Sequence, residues 1–302
     1  MRVLVTGREG QVARSLVERA PAQRVEIVTL GRPELDLAGP ADAIVAAVEA
    51  ARPEVILSSA AYTQVDKAES EPELAFAVNE RGAGAVARAA ARLNVPLIHL
   101  STDYVFDGLK PDPYVEQDEP NPSGVYGASK LGGEQAVLAG HGNSAVLRTA
   151  WVYSPFGANF VKTMLRLAGT RDEVGVVADQ RGNPTSASDI ADAVLAVAAN
   201  LHKRSNPELR GVFHMAASGE ASWADFAEAI FDASARAGGP SAKVNRITTA
   251  DYPTAAKRPA NSRLDCSRLE QNHGVRLPDW RESLQAVVER LIRSGASGAA
   301  NQ

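Results

Sequence analysis

The sequence RVLVTGREGQVA at residues 2–13 decides the fold. Residues 2–6 form a short, apolar, β-branched run that is typical of a buried parallel strand. A glycine turn with the spacing Gly-x-x-Gly-x-x-Ala follows, and then a helical pattern. Gly7 allows a tight turn, Gly10 lets the backbone approach a pyrophosphate, and Ala13 permits close packing of helix on strand. The stretch therefore predicts the first strand–turn–helix unit of a dinucleotide-binding sheet.

The second predicted strand, residues 25–30, ends near residues that would meet the adenosine ribose. An acidic side chain at that place binds the ribose diol, whereas a basic one accommodates a 2′-phosphate. Arg8 and Arg32 favour NADPH, while Asp36 favours NADH. The sequence leaves both cofactors open, and Arg32 also fits the description of a solvated loop charge.

Two further predicted strands end in small or hydroxyl-bearing residues. Residues 53–57 lead into Ser58 to Thr63, where small side chains suit the close passage of a cofactor. Residues 95–100 lead into Ser101-Thr102-Asp103. The carboxyl ends of parallel strands form the edge at which open α/β sheets bind ligands. We therefore expect a catalytic hydrogen-bond donor among these hydroxyl groups.

Tyr126 and Lys130 lie four residues apart in the sequence Val-Tyr-Gly-Ala-Ser-Lys. In a helix this spacing places the phenol and the ammonium on one face. A cation within reach favours the phenolate and is expected to lower the phenol pKa. Such a phenol can protonate a carbonyl oxygen or deprotonate an alcohol. Taken alone, the spacing also fits a surface helix with an idle tyrosine.

Composition narrows the class of protein. The 302 residues are 45% hydrophobic and 23% charged, and the net charge is −4 with scattered arginines, so no nucleic-acid partner is expected. The single cysteine, Cys266, favours a reducing compartment and a role as a small filler. No apolar run reaches the roughly 20 residues of a membrane span, and no signal peptide is recognisable. We therefore expect a cytoplasmic protein without a membrane partner.

The pattern changes after a fifth predicted strand at residues 144–148. Trp151, just beyond that strand, could stack on a base or pack in the core. Later in the chain, residues 179–185 are predicted to form a polar turn, residues 211–214 a sixth short strand and residues 281–293 a closing amphipathic helix. Residues 1–153 are expected to form the dinucleotide-binding domain, with return segments near 186–214. Residues 154–302 are expected to form mainly an interleaved substrate-binding domain, and the small, polar tail 294–302 is predicted to be disordered.

Seven motifs spread over residues 1 to about 292 carry a family resemblance. They are Gly7-x-x-Gly10-Gln11-Val12, Ala60-Ala61-Tyr62-Thr63-x-Val65-Asp66-Lys67-Ala68-Glu69, Ser101-Thr102-Asp103-Tyr104-Val105-Phe106-Asp107-Gly108, Tyr126-Gly127-x-x-Lys130, Arg148-Thr149-Ala150-Trp151-Val152-Tyr153, Asp179-Gln180-x-Gly182-x-Pro184-Thr185 and Arg258-Pro259-x-Asn261-Ser262. The glycine turn and Tyr-x-x-x-Lys are typical of the extended short-chain dehydrogenase/reductase superfamily. The third and the last motifs are more specific. Through them the chain resembles the dTDP-4-dehydrorhamnose reductase family.

The resemblance implies a doubly wound, seven-stranded parallel Rossmann sheet with a smaller C-terminal substrate-binding domain. It also implies hydride transfer from NADPH or NADH to the C4 ketone of dTDP-4-dehydro-β-L-rhamnose. In this reaction Tyr126 would give the proton, Lys130 would tune Tyr126 and hold the nicotinamide ribose, and Thr102 would bond the reacting oxygen. The implied cofactor residues are Gly7, Gly10, Gln11, Val12, Arg32, Asp36, Leu37, Ala61, Tyr62, Thr63, Tyr126 and Lys130. The implied substrate residues are Thr102, Asp103, Trp151 and Arg258, with Arg258 suited to a nucleotide phosphate.

Several alternatives stay open at this point. Another nucleotide-sugar epimerase or dehydratase of the superfamily would share the fold, although Tyr104 stands where a dehydratase would need a glutamate. A non-catalytic NADP-binding regulatory subunit is a second alternative, which does not need the full Thr102, Tyr126 and Lys130 set. Some family members use Mg²⁺, yet no ligand spacing in this sequence indicates a metal site. A homodimer is compatible with the resemblance.

Overall fold

The computed structural model describes residues 1–299. Its strands are β1 Arg2–Thr6, β2 Glu26–Leu30, β3 Val55–Ser58, β4 Leu97–Thr102, β5 Ser144–Thr149, β6 Val152–Tyr153, β7 Glu173–Val177, β8 Arg181–Gly182, β9 Thr185–Ser186, β10 Gly211–His214, β11 Ala221–Ser222 and β12 Lys243–Ile247. Its α-helices are α1 Gln11–Arg19, α2 Ala41–Ala50, α3 Val65–Ala68, α4 Pro72–Phe76, α5 Ala83–Leu93, α6 Val125–Gly140, α7 Phe160–Ala168, α8 Ala187–Lys203, α9 Trp223–Arg236, α10 Ser267–His273 and α11 Trp280–Ala299. A π-helical segment, Ala77–Gly82, joins α4 to α5.

The centre of the molecule is a parallel sheet with the strand order β10-β5-β4-β3-β1-β2. Strands β3, β4 and β5 are buried along their whole length, as expected for a sheet covered on both faces. This confirms the doubly wound α/β class. The expected seventh strand is absent from residues 1–299, because the chain after β5 turns away and β6 pairs with β9 in a separate ribbon.

Alternate residues of β1 pack into two separate hydrophobic cores, one on each face of the sheet. Val3 and Val5 belong to one cluster and Leu4 to the other, because successive strand side chains point to opposite faces. The first cluster also includes Leu16 of α1 and Val194 of α8. The second includes residues of α2, α5 and α6, such as Ile44, Val86 and Val137. The six predicted strands of the sheet thus lie between two layers of helices.

The later part of the chain returns to the central sheet and also forms a smaller group of strands and helices beside it. Strand β10 pairs with β5, and α8 packs on α1, so residues 187–214 belong to the part of the molecule built around the central sheet. Strands β7 and β12 form a parallel pair beside α9, which packs on α7 and α11. The domain boundary at residue 153 remains a prediction.

The C-terminal helix covers part of the tail that the sequence predicts to be disordered. Helix α11 extends to Ala299, so that prediction overlaps its last turns, and residues 300–302 lie outside the described residues. Within residues 1–299, no helix has the length and apolar composition needed to cross a membrane.

Candidate active site

The glycine turn between β1 and α1 has the geometry that a pyrophosphate requires. Gly7 has a φ of 94°, and a Cβ there would lie 3.3 Å from the Cβ of Ala60. Gly10 is the N-cap of α1 and contributes no side-chain cap, and the space around its Cα is open. The first backbone N–H groups of α1, from Gln11 and Val12 onward, are therefore available to an anion at the positive end of the helix dipole. These residues fit a dinucleotide.

The side chain of Gln11 connects this turn to the later chain. Its Oε1 accepts hydrogen bonds from Ser154 Oγ at 2.8 Å and from Asn159 Nδ2 at 3.1 Å. The predicted contact of Gln11 with the cofactor would therefore come from its backbone. The Gln11 side chain fixes the start of α1 against the segment before α7.

The residues predicted at the adenosine ribose are two arginines, an aspartate and a leucine, and they differ in exposure and in hydrogen-bond partners. Arg32 is exposed just after β2, whereas Arg8 is paired with Glu34 at 2.9 Å. The Asp36 carboxylate is exposed and accepts the Ala38 N–H at 3.0 Å. The Leu37 side chain is only 6% exposed and belongs to a hydrophobic core, so any contact of this residue with a cofactor would come from its backbone.

The loop Ala61-Tyr62-Thr63 is held by a buried asparagine. Asn79 Oδ1 accepts the Tyr62 N–H at 2.8 Å, and Asn79 Nδ2 donates to Tyr62 O and to Ser129 Oγ. Ser129 Oγ donates in turn to the carbonyl of Tyr126. Asn79 lies in the π-helical segment and is 1% exposed. A mid-helix asparagine is unfavourable on propensity alone, and here it joins the cofactor loop to the helix that carries Tyr126.

Thr102 and Asp103 lie together at the end of β4. Thr102 Oγ1 donates to Asp103 Oδ1 at 2.9 Å, and both residues are buried. Burial raises the pKa of Asp103 to about 6, although hydrogen bonds from Ser262 and Thr102 oppose the shift. Within residues 1–299, Asp103 Oδ2 is buried and has no hydrogen-bond partner. A carboxylate oxygen without a protein partner is suited to a hydroxyl group of a ligand.

Tyr126 and Lys130 both belong to α6, one turn apart, as predicted. The expected lowering of the Tyr126 pKa is wrong. Desolvation raises that pKa, and the hydrogen bond with Thr102 only opposes the rise. The Lys130 ammonium is not among the groups that shift this pKa; it is buried and donates to Leu100 O at 2.6 Å. Desolvation lowers the pKa of Lys130 itself to about 8.

Trp151 and Arg258 are both engaged with protein groups. The ring of Trp151 is stacked on Trp223 with centroids 3.5 Å apart, so one of its faces is already covered. Arg258 Nη2 donates to Asp66 at 2.7 Å, and Arg258 Nη1 donates to Tyr104 Oη at 3.1 Å. The ring of Tyr104 contacts that of Tyr126 edge-on at 5.5 Å. Through Tyr104, the structure therefore brings Arg258 close to α6, and Arg258 is only partly exposed.

Within residues 1–299, no group of three or more His, Cys, Asp or Glu side chains could hold a metal ion. Asp189 and Asp192, one turn apart on α8, instead accept bonds from Ser283 and Arg19. The Mg²⁺ dependence that the resemblance allows remains untested.

Comparison with known proteins adds the family to this geometry. A family model described as the RmlD substrate binding domain matches residues 1–293. A dTDP-4-dehydrorhamnose reductase of Sinorhizobium fredii is 54% identical over 98% of this chain and 99% of its own. The chain belongs to the dTDP-4-dehydrorhamnose reductase family. This result confirms the resemblance drawn from the seven motifs.

Solved structures agree with this family. The crystal structure of dTDP-4-dehydrorhamnose reductase from Bacillus anthracis in complex with NADP has a TM-score of 0.87 and 36% identity, covering 95% of this chain and 98% of that one. The Thermus thermophilus UDP-glucose 4-epimerase in complex with NAD has a TM-score of 0.78 but only 22% identity, covering 97% and 99%. The second likeness shows the shared fold alone, so the reductase family is favoured over the epimerase alternative.

Sequence reasoning missed several residues that shape this site. Asp66 and Tyr104 both accept hydrogen bonds from Arg258, and Glu134 accepts one from Ser101, next to Thr102. A signal was available for two of them, because Asp66 and Tyr104 stand inside the recognised motifs. Glu134 on α6 is paired with Arg148 on β5, and no local sequence pattern indicates that contact.

Proposed function

We propose that the protein catalyses the NAD(P)H-dependent reduction of the C4 ketone of dTDP-4-dehydro-β-L-rhamnose to give dTDP-β-L-rhamnose. Membership of the reductase family supports the substrate. The observation that carries the chemistry is the arrangement of Thr102, Tyr126 and Lys130 around the carboxyl end of β4, at the sheet edge where the glycine turn also follows β1. A regulatory subunit would not require this complete set.

The reduced nicotinamide supplies a hydride when it is bound, and the chain supplies the proton. Tyr126 donates its phenolic proton to the C4 oxygen as negative charge develops there. Thr102 lies beside the phenol, and when the sugar binds, the Thr102 hydroxyl would turn from Asp103 Oδ1 to donate a hydrogen bond to the same oxygen. Because these donors are fixed before the reaction, they stabilise the developing oxyanion more than the neutral ketone.

The raised pKa of Tyr126 keeps the phenol in the protonated form, from which it can give a proton to the more basic C4 oxyanion. The phenol stays protonated at neutral pH and is ready to act as an acid. Lys130 is placed to hold the nicotinamide ribose, and its ammonium adds positive charge beneath the site. Its lowered pKa means that this charge is lost as the pH rises through about 8.

The substrate is held by the residues around this centre. We assign the sugar to Asp103 and Trp151, and a nucleotide phosphate to Arg258. Arg258 would exchange its bond with Asp66 for the phosphate, to which its forked guanidinium is well matched. At the other end of the cofactor, the exposed Arg32 suits the 2′-phosphate of NADPH, while Asp36 suits NADH.

The test is a reductase assay with dTDP-4-dehydrorhamnose made freshly by the preceding dehydratase and 3,5-epimerase. We expect stoichiometric oxidation of NADPH or NADH, with dTDP-L-rhamnose as the product. The matched control is Tyr126→Phe, which should bind the cofactor but not turn over. Cofactor binding without oxidation by the wild type would favour the regulatory alternative. Reduction of a different keto-sugar would keep the mechanism and reject the substrate.

A further inference from the structure

A buried series of hydrogen bonds connects Lys130 to two strands of the sheet. Lys130 Nζ lies 3.4 Å from His99 Nε2, and His99 Nδ1 lies 3.1 Å from Ser58 Oγ. All three residues are 3% exposed or less. These hydrogen bonds thus connect α6 to β4 and then to β3, on which His99 and Ser58 are register partners.

The ammonium group determines the tautomer of His99. A protonated Lys130 can only donate, so the facing Nε2 must be the acceptor and cannot carry a proton. The imidazole proton then resides on Nδ1 and is donated to Ser58 Oγ. The opposite tautomer would direct an N–H group at a buried cation. Burial and the charge of Lys130 both lower the pKa of His99 well below its ordinary value, which keeps the ring neutral.

The packing around the imidazole is close enough to hold this arrangement. A Cβ at Gly133 would lie 2.1 Å from the Asn79 carbonyl oxygen and 3.4 Å from His99 Nε2. Only glycine therefore lets α6 approach the ring at this position. The second fixed acceptor of the ammonium, Leu100 O at 2.6 Å, is on the residue that follows His99. Two of the three N–H groups of Lys130 are thus directed by β4.

We propose that His99 is a positioning residue for Lys130: its Nε2 accepts one ammonium hydrogen and thereby directs the remaining N–H towards the nicotinamide ribose. The proposal rests on the proposed function, because it assigns a role within that site. It goes further by naming a neutral histidine, fixed as one tautomer by Ser58, as the group that keeps the buried lysine both protonated and oriented.

Other charged groups near Lys130 must be included in any pH argument. Glu134 follows on α6 and favours the protonated lysine, but its carboxylate is shared with Arg148 from β5. Tyr126 lies on the same helix, and Asp103 lies beyond it at the end of β4. None of these four groups is altered by a substitution at His99, so a shift in the pH profile reports the loss of the imidazole acceptor.

The test compares His99→Gln with His99→Asn and His99→Leu. Glutamine can place an acceptor oxygen near the Nε2 position, whereas asparagine reaches only the Nδ1 position and leucine offers no acceptor. We expect the basic limb of the kcat/KM profile to move down by about one pH unit in the asparagine and leucine variants, and to return to the wild-type position in His99→Gln. His141→Leu is the matched control, because His141 is another buried histidine, at the end of α6. The substitution His141→Leu should leave the basic limb of the kcat/KM profile at its wild-type pH.

A second readout separates this proposal from the proposed function. The pH dependence of the NADPH dissociation constant needs no sugar substrate, and the same shift is expected there, so it tests His99 even if the keto-sugar is not reduced. The proposal is overturned if His99→Asn folds and keeps the wild-type limb, or if His141→Leu shifts it equally. If the leucine variant does not fold, the asparagine and glutamine pair decides the question.

Discussion

The buried pair of Glu134 and Arg148 gives a prediction that can be worked out from the structure. Arg148 donates to Glu134 from Nε at 2.9 Å and from Nη2 at 2.7 Å, and Ser101 Oγ donates to the same carboxylate at 2.5 Å. The two charged side chains are 4% and 3% exposed. The substitution Glu134→Gln keeps the shape of the side chain but leaves the guanidinium charge buried without a counter-charge.

We expect this change to lower the free energy of unfolding by about 3–5 kcal/mol, since that is the usual effect of removing one partner of a buried ion pair. Urea unfolding followed by circular dichroism, with the slope of the transition compared between variants, measures it. The double substitution Glu134→Leu with Arg148→Met should restore most of the loss, because an apolar pair of similar volume needs no desolvation of charge.

The matched control is Glu173→Gln, which breaks the pair with Lys243. Those side chains are 54% and 77% exposed, so the loss should stay below about 1 kcal/mol. If Glu134→Gln costs no more than this control, the reasoning about the buried pair is refuted. The same holds if the double variant is less stable than Glu134→Gln alone.

Three further predictions concern the site. Tyr126→Phe should lower kcat by roughly 10²–10⁴-fold while the NADPH dissociation constant, measured by fluorescence titration, stays near the wild-type value; turnover close to wild type would reject Tyr126 as the proton donor. The kcat/KM of the wild type should fall as the pH rises through about 8, because Lys130 then loses its proton; a profile flat to pH 10 would contradict this. The native pKa of Asp103 is raised from 3.8 to about 6, so its contribution to stability is present below pH 4 and is lost as the pH rises towards 6. Between pH 4 and pH 7 the wild type should therefore lose roughly 2 kcal/mol more of its free energy of unfolding than the variant Asp103→Asn, as measured by urea unfolding. Equal losses in the two proteins would count against the buried carboxylate.

The sheet could be predicted from sequence because its strands are short apolar runs with clear ends. The predicted strand at residues 2–6 is confirmed residue for residue, as is the strand at residues 211–214. The predicted strands at 53–57 and 95–100 are displaced by one or two residues. Such displacement is expected where Pro53 and Pro96 precede the ladder, since proline lacks the N–H that a central strand must donate.

The short strands of the later chain could not be predicted in the same way. Strands β8 and β9 are two residues long, in a segment predicted to be a polar turn, and each pairs with a distant part of the chain. Their pairing depends on tertiary contacts and leaves no local periodicity. The closing helix, by contrast, was predicted at residues 281–293 from its amphipathic pattern and is observed from Trp280.

Within the site, the positions of the residues could be predicted from the sequence more reliably than their hydrogen-bond and ion-pair partners. Thr102, Tyr126 and Lys130 lie where the motifs indicate. The sequence could not show that Lys130 is desolvated and bonded to β4, or that desolvation raises the pKa of Tyr126, and the expected lowering of that pKa was therefore wrong. Similarly, the pairing of Arg258 with Asp66 joins residues far apart in the chain, and only the folded structure shows it.

The most direct test of the central claim is the fate of the hydride and the proton in one turnover. The protein would be supplied with dTDP-4-dehydrorhamnose and NADPH deuterated at the transferring position of C4, and the sugar product examined by NMR and mass spectrometry. The proposed reaction predicts one deuterium at C4 of dTDP-L-rhamnose from the wild type, and no labelled product from Tyr126→Phe on the same timescale. Deuterium at another carbon, or equal labelling by the variant, would contradict the assignment of the ketone and of the proton donor.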